Sequence, residues 1–370
     1  MPAVRIHPRR SLGGALAVLA IALAACAQPP AAQPQRAAPS SAAPAGPAPN
    51  AASSPAASAP ATPTKIRLAY SQIWGANVVP WLAYEAGVFA KHGLEVELSY
   101  VASSQTVPAT LSGDVDIAIG GGYAVINSRL AGSDLVMFYN AMNWYPYLLM
   151  TSPDIGTPEE LRGKTLGVSR FGSASDVATR VALKQLHLVP DRDVTLIQVG
   201  SLQERIAAMK SGAIAGGVAA PPDTVILRRQ GFKTLYDLRN SPDKELPNSV
   251  FATERWLRAN EDAAQRFVDA LIEATYLAKT DRAAAEKVLA DYLKLDEPEA
   301  IADAYEGFVV RMERAPDLGL EAARTYLQEQ AASDPRAAAA ANADPAQFFD
   351  TRFMDRVRAS GLVERLYGGN

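Results

Sequence analysis

The stretch Arg170-Phe-Gly-Ser-Ala-Ser-Asp176 puts a glycine, two hydroxyls and a carboxylate where an apolar β-type run, Thr165–Ser169, passes into a helical pattern with Val177, Val181 and Leu188 on one face. Backbone N–H groups at such a helix start, from Gly172 onward and with the Ser173 and Ser175 hydroxyls as further donors, can hold an anion or a polar headgroup. The bland reading of the same residues is that Ser175 and Asp176 cap the helix and do nothing else. Aromatic side chains form a second group: Trp74, Tyr123, Trp144 and Tyr145 fall in or beside strand-end loops, where a ring either stacks on a ligand or packs into the core. Ser71, Asn77, Asn143, Gly121, Gly122, Pro221 and Asp223 complete the loops; Asn77, Asn143 and Asp223 suit polar groups of a ligand but also suit turns. Catalytic constellations are lacking. Beyond residue 26 the histidines are His92 and His187, in unrelated contexts, and the spacing contains no metal-ligand pattern, nucleophile elbow or phosphate loop. No enzyme activity, metal or cofactor is expected.

Loops of this kind need strands and helices to hold them. Val194–Val199 reads as a strand, Ser201 with Glu204 as the capping-box start of a helix carrying Leu202, Ile206 and Met209, Ser211-Gly212 as its stop, and Ile214–Val218 as the next strand. This alternation predicts right-handed βαβ crossovers and a parallel sheet with ligand loops at the C-terminal strand ends. Upstream, Ile66–Tyr70, Leu94–Tyr100, Val115–Ile119, Leu135–Tyr139 and Tyr145–Met150 read as the strands of a first lobe, with helical patterns between them in which Trp81 is a packing residue. Leu111–Ile126 and Lys210–Ile226 echo each other: helix, Ser-Gly stop, short apolar strand, small-residue loop, helix. Two lobes of one α/β design follow. Each offers two loops, Ser71–Asn77 with Gly120–Tyr123 and Arg170–Asp176 with Ala219–Asp223, and facing lobes would bring all four to one cleft. Arg170 is the only cation in these loops. Ser241–Ser249 reads as the return crossing, and everything after it as helix, apart from an Ala-rich, mobile stretch at Ser333–Asp344.

At the N-terminus, Arg5, Arg9 and Arg10 precede an apolar run, Leu12–Ala25, that is short for a membrane span and suits a secretory signal. It ends Leu23-Ala-Ala-Cys26, the form of a bacterial lipobox, and Cys26 is the only cysteine in the chain. Residues 1–26 are therefore expected to be a lipoprotein signal peptide, with Cys26 lipidated. Residues 27–64, nearly all Ala, Pro, Ser and Gln, read as a disordered tether spanning roughly 35 to 120 Å between its coiled and extended limits. With the four arginines of residues 1–64 set aside, residues 65–370 carry a formal charge of −7, which argues against nucleic-acid binding.

The strings Tyr84–Val101, Leu111–Gly121 and Leu161–Asp176, together with DPAQFFDTRFMDRVRASGL near the end, resemble the substrate-binding lipoproteins of ABC importers in the nitrate, sulfonate and taurine class. The resemblance implies an α/β, two-lobed periplasmic-binding-protein fold with two interlobe crossings and a helical C-terminal region. On that scheme lobe 1 comprises 65–153 and 250–370, and lobe 2 comprises 154–249. It implies an exported, membrane-anchored monomer that closes on a small-molecule solute and delivers it to a permease and an ATPase. A small organic anion, sulfonate or aromatic carboxylate, suits the loops better than nitrate or bicarbonate; the alternatives are a pyrimidine- or flavin-like ring, or a lipoprotein sensor without transport.

Overall fold

Two strands set the frame of the first sheet. In β1, Thr64–Tyr70, Ile66 and Leu68 are fully buried while Lys65 and Arg67 are not. Its neighbour β2, Leu94–Tyr100, turns Glu95, Glu97 and Ser99 to solvent, as suits an edge strand. Between them run α1 (Val78–Glu85) and α2 (Val88–Lys91), one helical pattern interrupted at Gly87, whose φ of +70° ends the first helix. After α3 (Ser103–Ser112) come β3 (Ile117–Gly120), α4 (Gly122–Leu130) and β4 (Leu135–Asn140); β3 and β4 are buried throughout, as strands covered on both faces must be. This computed structural model describes residues 63–333, 340 and 342–368, all within the unit Ser58–Asn370. The signal peptide, Cys26 and the tether up to residue 62 lie outside the described residues, as do 334–339 and 341 of the Ala-rich stretch. Thr64, assigned above to the tether, already pairs with Leu94 as the first residue of β1.

The second sheet repeats the plan with β5 (Leu148–Thr151), the short α5 (Pro158–Leu161), β6 (Thr165–Val168), α6 (Ala174–Gln185), β7 (Thr195–Gln198), α7 (Leu202–Lys210), β8 (Gly216–Ala219), α8 (Asp223–Arg229) and β9 (Lys233–Asp237). Ser201 and Glu204 form the expected capping box: the Glu204 N–H donates to Ser201 Oγ at 3.2 Å and the Ser201 N–H to Glu204 Oε2 at 2.6 Å. The two Ser-Gly stops both hold, with Gly113 at φ +84° and Gly212 at φ +74°.

Strand orders are β2-β1-β3-β10-β4 and β7-β6-β8-β5-β9, where β10 is Ser249–Thr253. Each lobe thus has one strand that the sequence reading misplaced. The run expected over Tyr145–Met150 as the last strand of lobe 1 is β5, and it belongs to the second sheet, so the first crossing precedes residue 148 rather than following 153. The chain expected to be helical after Ser249 first makes β10. Both sheets are mixed, not parallel: β5 runs antiparallel to β8 and β9, and β10 antiparallel to β3 and β4. The reason is directional. A chain arriving from the other lobe enters at the strand ends that face that lobe, with Leu148 beside Ala219 and Ser249 beside Gly120, and must then run backwards along the sheet.

The C-terminal region is helical: α9 (Glu254–Ala259), α10 (Glu261–Thr280), α11 (Arg282–Leu293), α12 (Pro298–Ala304) continuing into a π-helical turn at Tyr305–Val309, α13 (Leu320–Ser333), and a last pair at Arg352–Ser360 and Leu362–Tyr367. Helix α10 sends Phe267 against Phe89 in a parallel stack at 5.2 Å, and α11 sends Tyr292 onto Trp81 at 4.5 Å. Each such ring removed from water contributes about 1.5–3 kcal/mol, which fastens these helices to lobe 1. The architecture is α/β with two lobes, two crossings and a helical C-terminal region.

Candidate functional site

The C-terminal ends of β1, β3, β6 and β7 open onto one cavity of about 560 Å³, lined from both sheets. From lobe 1 come Ser71, Trp74, Gly121 and Tyr123, with Phe251 of β10; from lobe 2 come Arg170, Gly172, Ser173, Ser175 and the turn Gly200–Arg205; Tyr147 lines it from the first crossing. Ser71 is held by its N–H donating to the Ile119 carbonyl, which extends the β1–β3 pairing by one residue into the cavity wall. Trp74 is 4 % exposed and stacks on Tyr147 at 6.0 Å with the ring planes 23° apart; its opposite contact is edge-on to Phe308 at 5.8 Å. Trp74 Nε1 has no hydrogen-bond partner among the described residues.

Serine hydroxyls form the polar wall. Ser169 Oγ lies 2.8 Å from Ser173 Oγ and 2.9 Å from Ser175 Oγ, and Ser175 Oγ also accepts the Ser169 N–H at 2.9 Å. Ser173 Oγ donates to the Arg170 carbonyl at 2.7 Å. In the first turn of α7, Arg205 is 5 % exposed and donates through Nη1 to the Gly200 carbonyl at 3.0 Å and through Nη2 to the Val218 carbonyl at 3.4 Å. Its Nε has no partner among the described residues. Burial lowers the proton affinity of this guanidinium, while Tyr147 and Asp223 raise it. A guanidinium nonetheless stays charged. Burial likewise pushes the Tyr147 and Tyr123 hydroxyls well above the usual tyrosine value, so both are neutral donors.

The model of the NMT1/THI5-like family matches residues 78–285, a span that includes β3, β6, β7 and β8 and all the lobe-2 residues just described. This chain belongs to that family. A relative in Bacillus subtilis (strain 168), named "Putative binding protein YtlA", is 23% identical over 247 residues, covering 64% of this chain and 73% of its own. Among solved structures, the alkanesulfonate-binding protein SsuA from Xanthomonas axonopodis pv. citri, bound to MOPS, has a TM-score of 0.61 at 18% identity and covers 74% of this chain and 94% of its own. The desulfurization enzyme DSZB has a TM-score of 0.60 at 17% identity, covering 80% of this chain and 99% of its own. At these identities the likeness is one of fold.

Within this NMT1/THI5-like protein several expected site residues lie away from the cavity. Asn77 is 1 % exposed and donates from Nδ2 to the Gln72 carbonyl at 2.6 Å, bracing the loop that carries Trp74. Gly122 donates its N–H to the Leu246 carbonyl at 2.8 Å, and a Cβ there would collide with Met137 and Ser249. Trp144 packs near Phe308 and Arg311, Tyr145 is buried, and Asn143 donates to Asp317 at 2.9 Å and Glu313 at 3.2 Å. These are consequences of the early crossing: residues 141–147 are a strap between lobes rather than a strand-end loop. Of the loop Ala219–Asp223 only Ala220 lines the cavity. Pro221 rests against Gly307, and Asp223 opens α8, where burial pushes its carboxyl up to about 6 against the opposing pull of Lys210 and Arg205. Asp176 also turns away. Its Oδ2 accepts the Gly172 N–H at 2.9 Å and its Oδ1 the Arg180 Nε–H at 3.0 Å, so the start of α6 is partly filled by the chain's own carboxylate.

Tyr147, Ser169, the Gly200–Glu204 turn and Arg205 were not anticipated. The expectation that Arg170 is the cleft's single cation is corrected by Arg205. A signal for it existed in the capping box at Ser201, which places a helix start directly after a strand end, as at α6. The arginine four residues on reads, in sequence alone, as one more solvated charge on a helix.

Proposed function

We propose that this protein is the extracytoplasmic solute-binding component of an ABC importer, which closes its lobes on a small organic anion and passes it to a membrane permease and its ATPase. The observation that carries the reading is the cavity itself: about 560 Å³, bounded by strand ends of both sheets, with hydroxyls and a buried arginine in its polar lining and Trp74, Tyr147 and Phe251 in its aromatic lining. That volume suits a small molecule, and the pairing of polar and aromatic linings suits one with a charged head and a planar or apolar body, such as a sulfonate or an aromatic carboxylate. Membership of a family whose fold is shared with an alkanesulfonate-binding protein supports it. An enzyme also shares the fold, so the residues must argue against catalysis. Among the described residues that line the cavity none is Cys or His, and the one lining carboxylate, Glu204, is committed to its capping box.

Native mass spectrometry of solute retained on purification, followed by calorimetry with that solute and with nitrate, tests the reading. An organic anion bound well ahead of nitrate is expected; a chemically altered product recovered from the bound solute would instead indicate catalysis. Lipid anchoring through Cys26 on the outer side of the cytoplasmic membrane belongs to the same proposal. Cys26→Ala is expected to give unprocessed precursor or soluble exported protein, and a lipid-modified species recovered with membranes would contradict it.

A further inference from the structure

We infer that Arg205 is the counter-charge of the bound solute, seating a monoanionic oxyacid head, sulfonate or carboxylate, over the C-terminal end of β6. The inference rests on the solute-binding reading above and goes on to name the group that selects the ligand. The two carbonyls that hold the guanidinium, those of Gly200 and Val218, belong to the segments on either side of β6, since the order of the sheet is β7-β6-β8. A guanidinium spanning them lies across the end of β6, and the next residue of that segment is Ser169. Arginine, Ser169, Ser173 and Ser175 all line the one cavity.

Charge then decides the ligand. Gly200 and Val218 supply neutral oxygens, and the carboxylate whose charge reaches Arg205, that of the buried Asp223, makes no direct hydrogen bond to it among the described residues. A buried cation without a directly bonded anion is costly, and the unpartnered Nε–H is a donor with nothing yet to donate to. The charged residues lining the cavity are Arg170, Arg205 and Glu204. Glu204 accepts the Ser201 N–H and completes the start of α7. The lining charges sum to one positive charge before the buried Asp223, whose charge reaches Arg205, is counted, so the seat takes a monoanion at most and not a dianion. The serine hydroxyls supply a second donor only by exchange. Ser173 gives its hydrogen to the Arg170 carbonyl, Ser169 then gives its own to Ser173 and Ser175 to Ser169, so an oxygen of the head takes a hydroxyl hydrogen by replacing one of the bonds between the serines. The start of α6, where Asp176 already takes the Gly172 N–H, is at best an accessory to this seat.

The test is calorimetry on the purified full-length protein with benzenesulfonate, benzoate and the neutral analogue methyl phenyl sulfone, for wild type, Arg205→Gln and Arg205→Lys, each checked for native circular dichroism. Loss of one charge-assisted hydrogen bond predicts at least about a tenfold weaker binding of the anions by Arg205→Gln, with the sulfone unchanged and Arg205→Lys in between. A folded Arg205→Gln that binds the anions as wild type does would overturn the role of Arg205 and leave solute binding standing. Should Arg205→Gln not fold, wild-type selectivity decides: sulfone bound as tightly as benzenesulfonate overturns the inference, and anion preference that is lost in Ser169→Ala supports it. A wild type that is empty on purification and binds no probe defeats the solute-binding reading, and the inference with it.

Discussion

At the scale of single residues, Trp74 and Glu245 show how burial separates structural from functional roles. Trp74 is both a cavity wall and a core ring between Tyr147 and Phe308. Trp74→Ala is therefore expected to cost about 3–5 kcal/mol of stability in urea titration, which would confound any affinity measured on it. Trp74→Phe keeps a ring in the stack, and we expect a smaller loss, about 1–2 kcal/mol, together with several-fold weaker solute binding. Unchanged affinity in that folded variant would remove Trp74 from the site. Glu245, in the second crossing, is fully buried, and both its carboxylate oxygens lack partners among the described residues. Burial holds its pKa well above the ordinary glutamate value, and the nearby Tyr123, Tyr145 and Tyr147 feel its charge. The folded state then keeps a proton that the unfolded state releases. Stability from this group is full below the ordinary glutamate pKa and declines as pH rises above it, by about 1.4 kcal/mol per pH unit until the folded carboxyl ionises. Glu245→Gln should gain on wild type as pH rises from about 5 to 8. A pH-independent difference would mean that the carboxylate is charged and paired.

At the scale of elements, the π-helical turn after α12 joins the two lobes beside the crossings. Phe308 meets Trp74 of lobe 1, while Gly307 lies against Pro221 of lobe 2; a Cβ on residue 307 would come within 2.7 Å of the proline ring, which cannot bend away. Alongside, Arg229 of α8 pairs with Glu297 and Glu299 at the start of α12. Packing and charge contribute unequally here. The side chains of these ion pairs are 45 % or more exposed, and Arg229→Ala should cost less than about 1 kcal/mol. Gly307→Ala should cost about 1–3 kcal/mol, because the contact must open to admit one methyl group. Thermal melts of the two variants would reveal the order, and a greater loss in Arg229→Ala would show that charge, not close approach, holds this contact.

For the whole molecule, the two lobes meet through two crossings, α12 and its π-turn, and a ligand touching both walls of the cavity adds contacts that only a closed arrangement provides. Such a ligand must shift the population toward closure by its differential affinity for the two arrangements. Small-angle scattering is expected to show a smaller radius of gyration with the retained solute than after its removal by partial unfolding and refolding. Equal radii at saturation would mean that binding occurs without a hinge movement.

What the sequence determined on its own was local. The capping box at Ser201 and Glu204, the Ser-Gly stops at 113 and 212, the alternation in β1 and β2 and the seat-like run after β6 depend on hydrogen bonds and periodicities spanning a few residues, and these are written in order along the chain. The pairing of two echoing segments was enough to imply two lobes. Tertiary structure alone decided which side chains face one another across the cleft. A short apolar run such as Leu148–Thr151 fits either sheet, and its place is set by pairing with Val218 and Tyr236 some seventy to ninety residues away. From that one choice it follows that Trp144 and Tyr145 are strap and core while Tyr147 reaches the cavity. Arg205 is the sharpest case. On a helical pattern it is indistinguishable from a solvated charge, and it becomes a buried, partly unpartnered donor only because β6, β7 and β8 assemble so that carbonyls from two separate segments close over it.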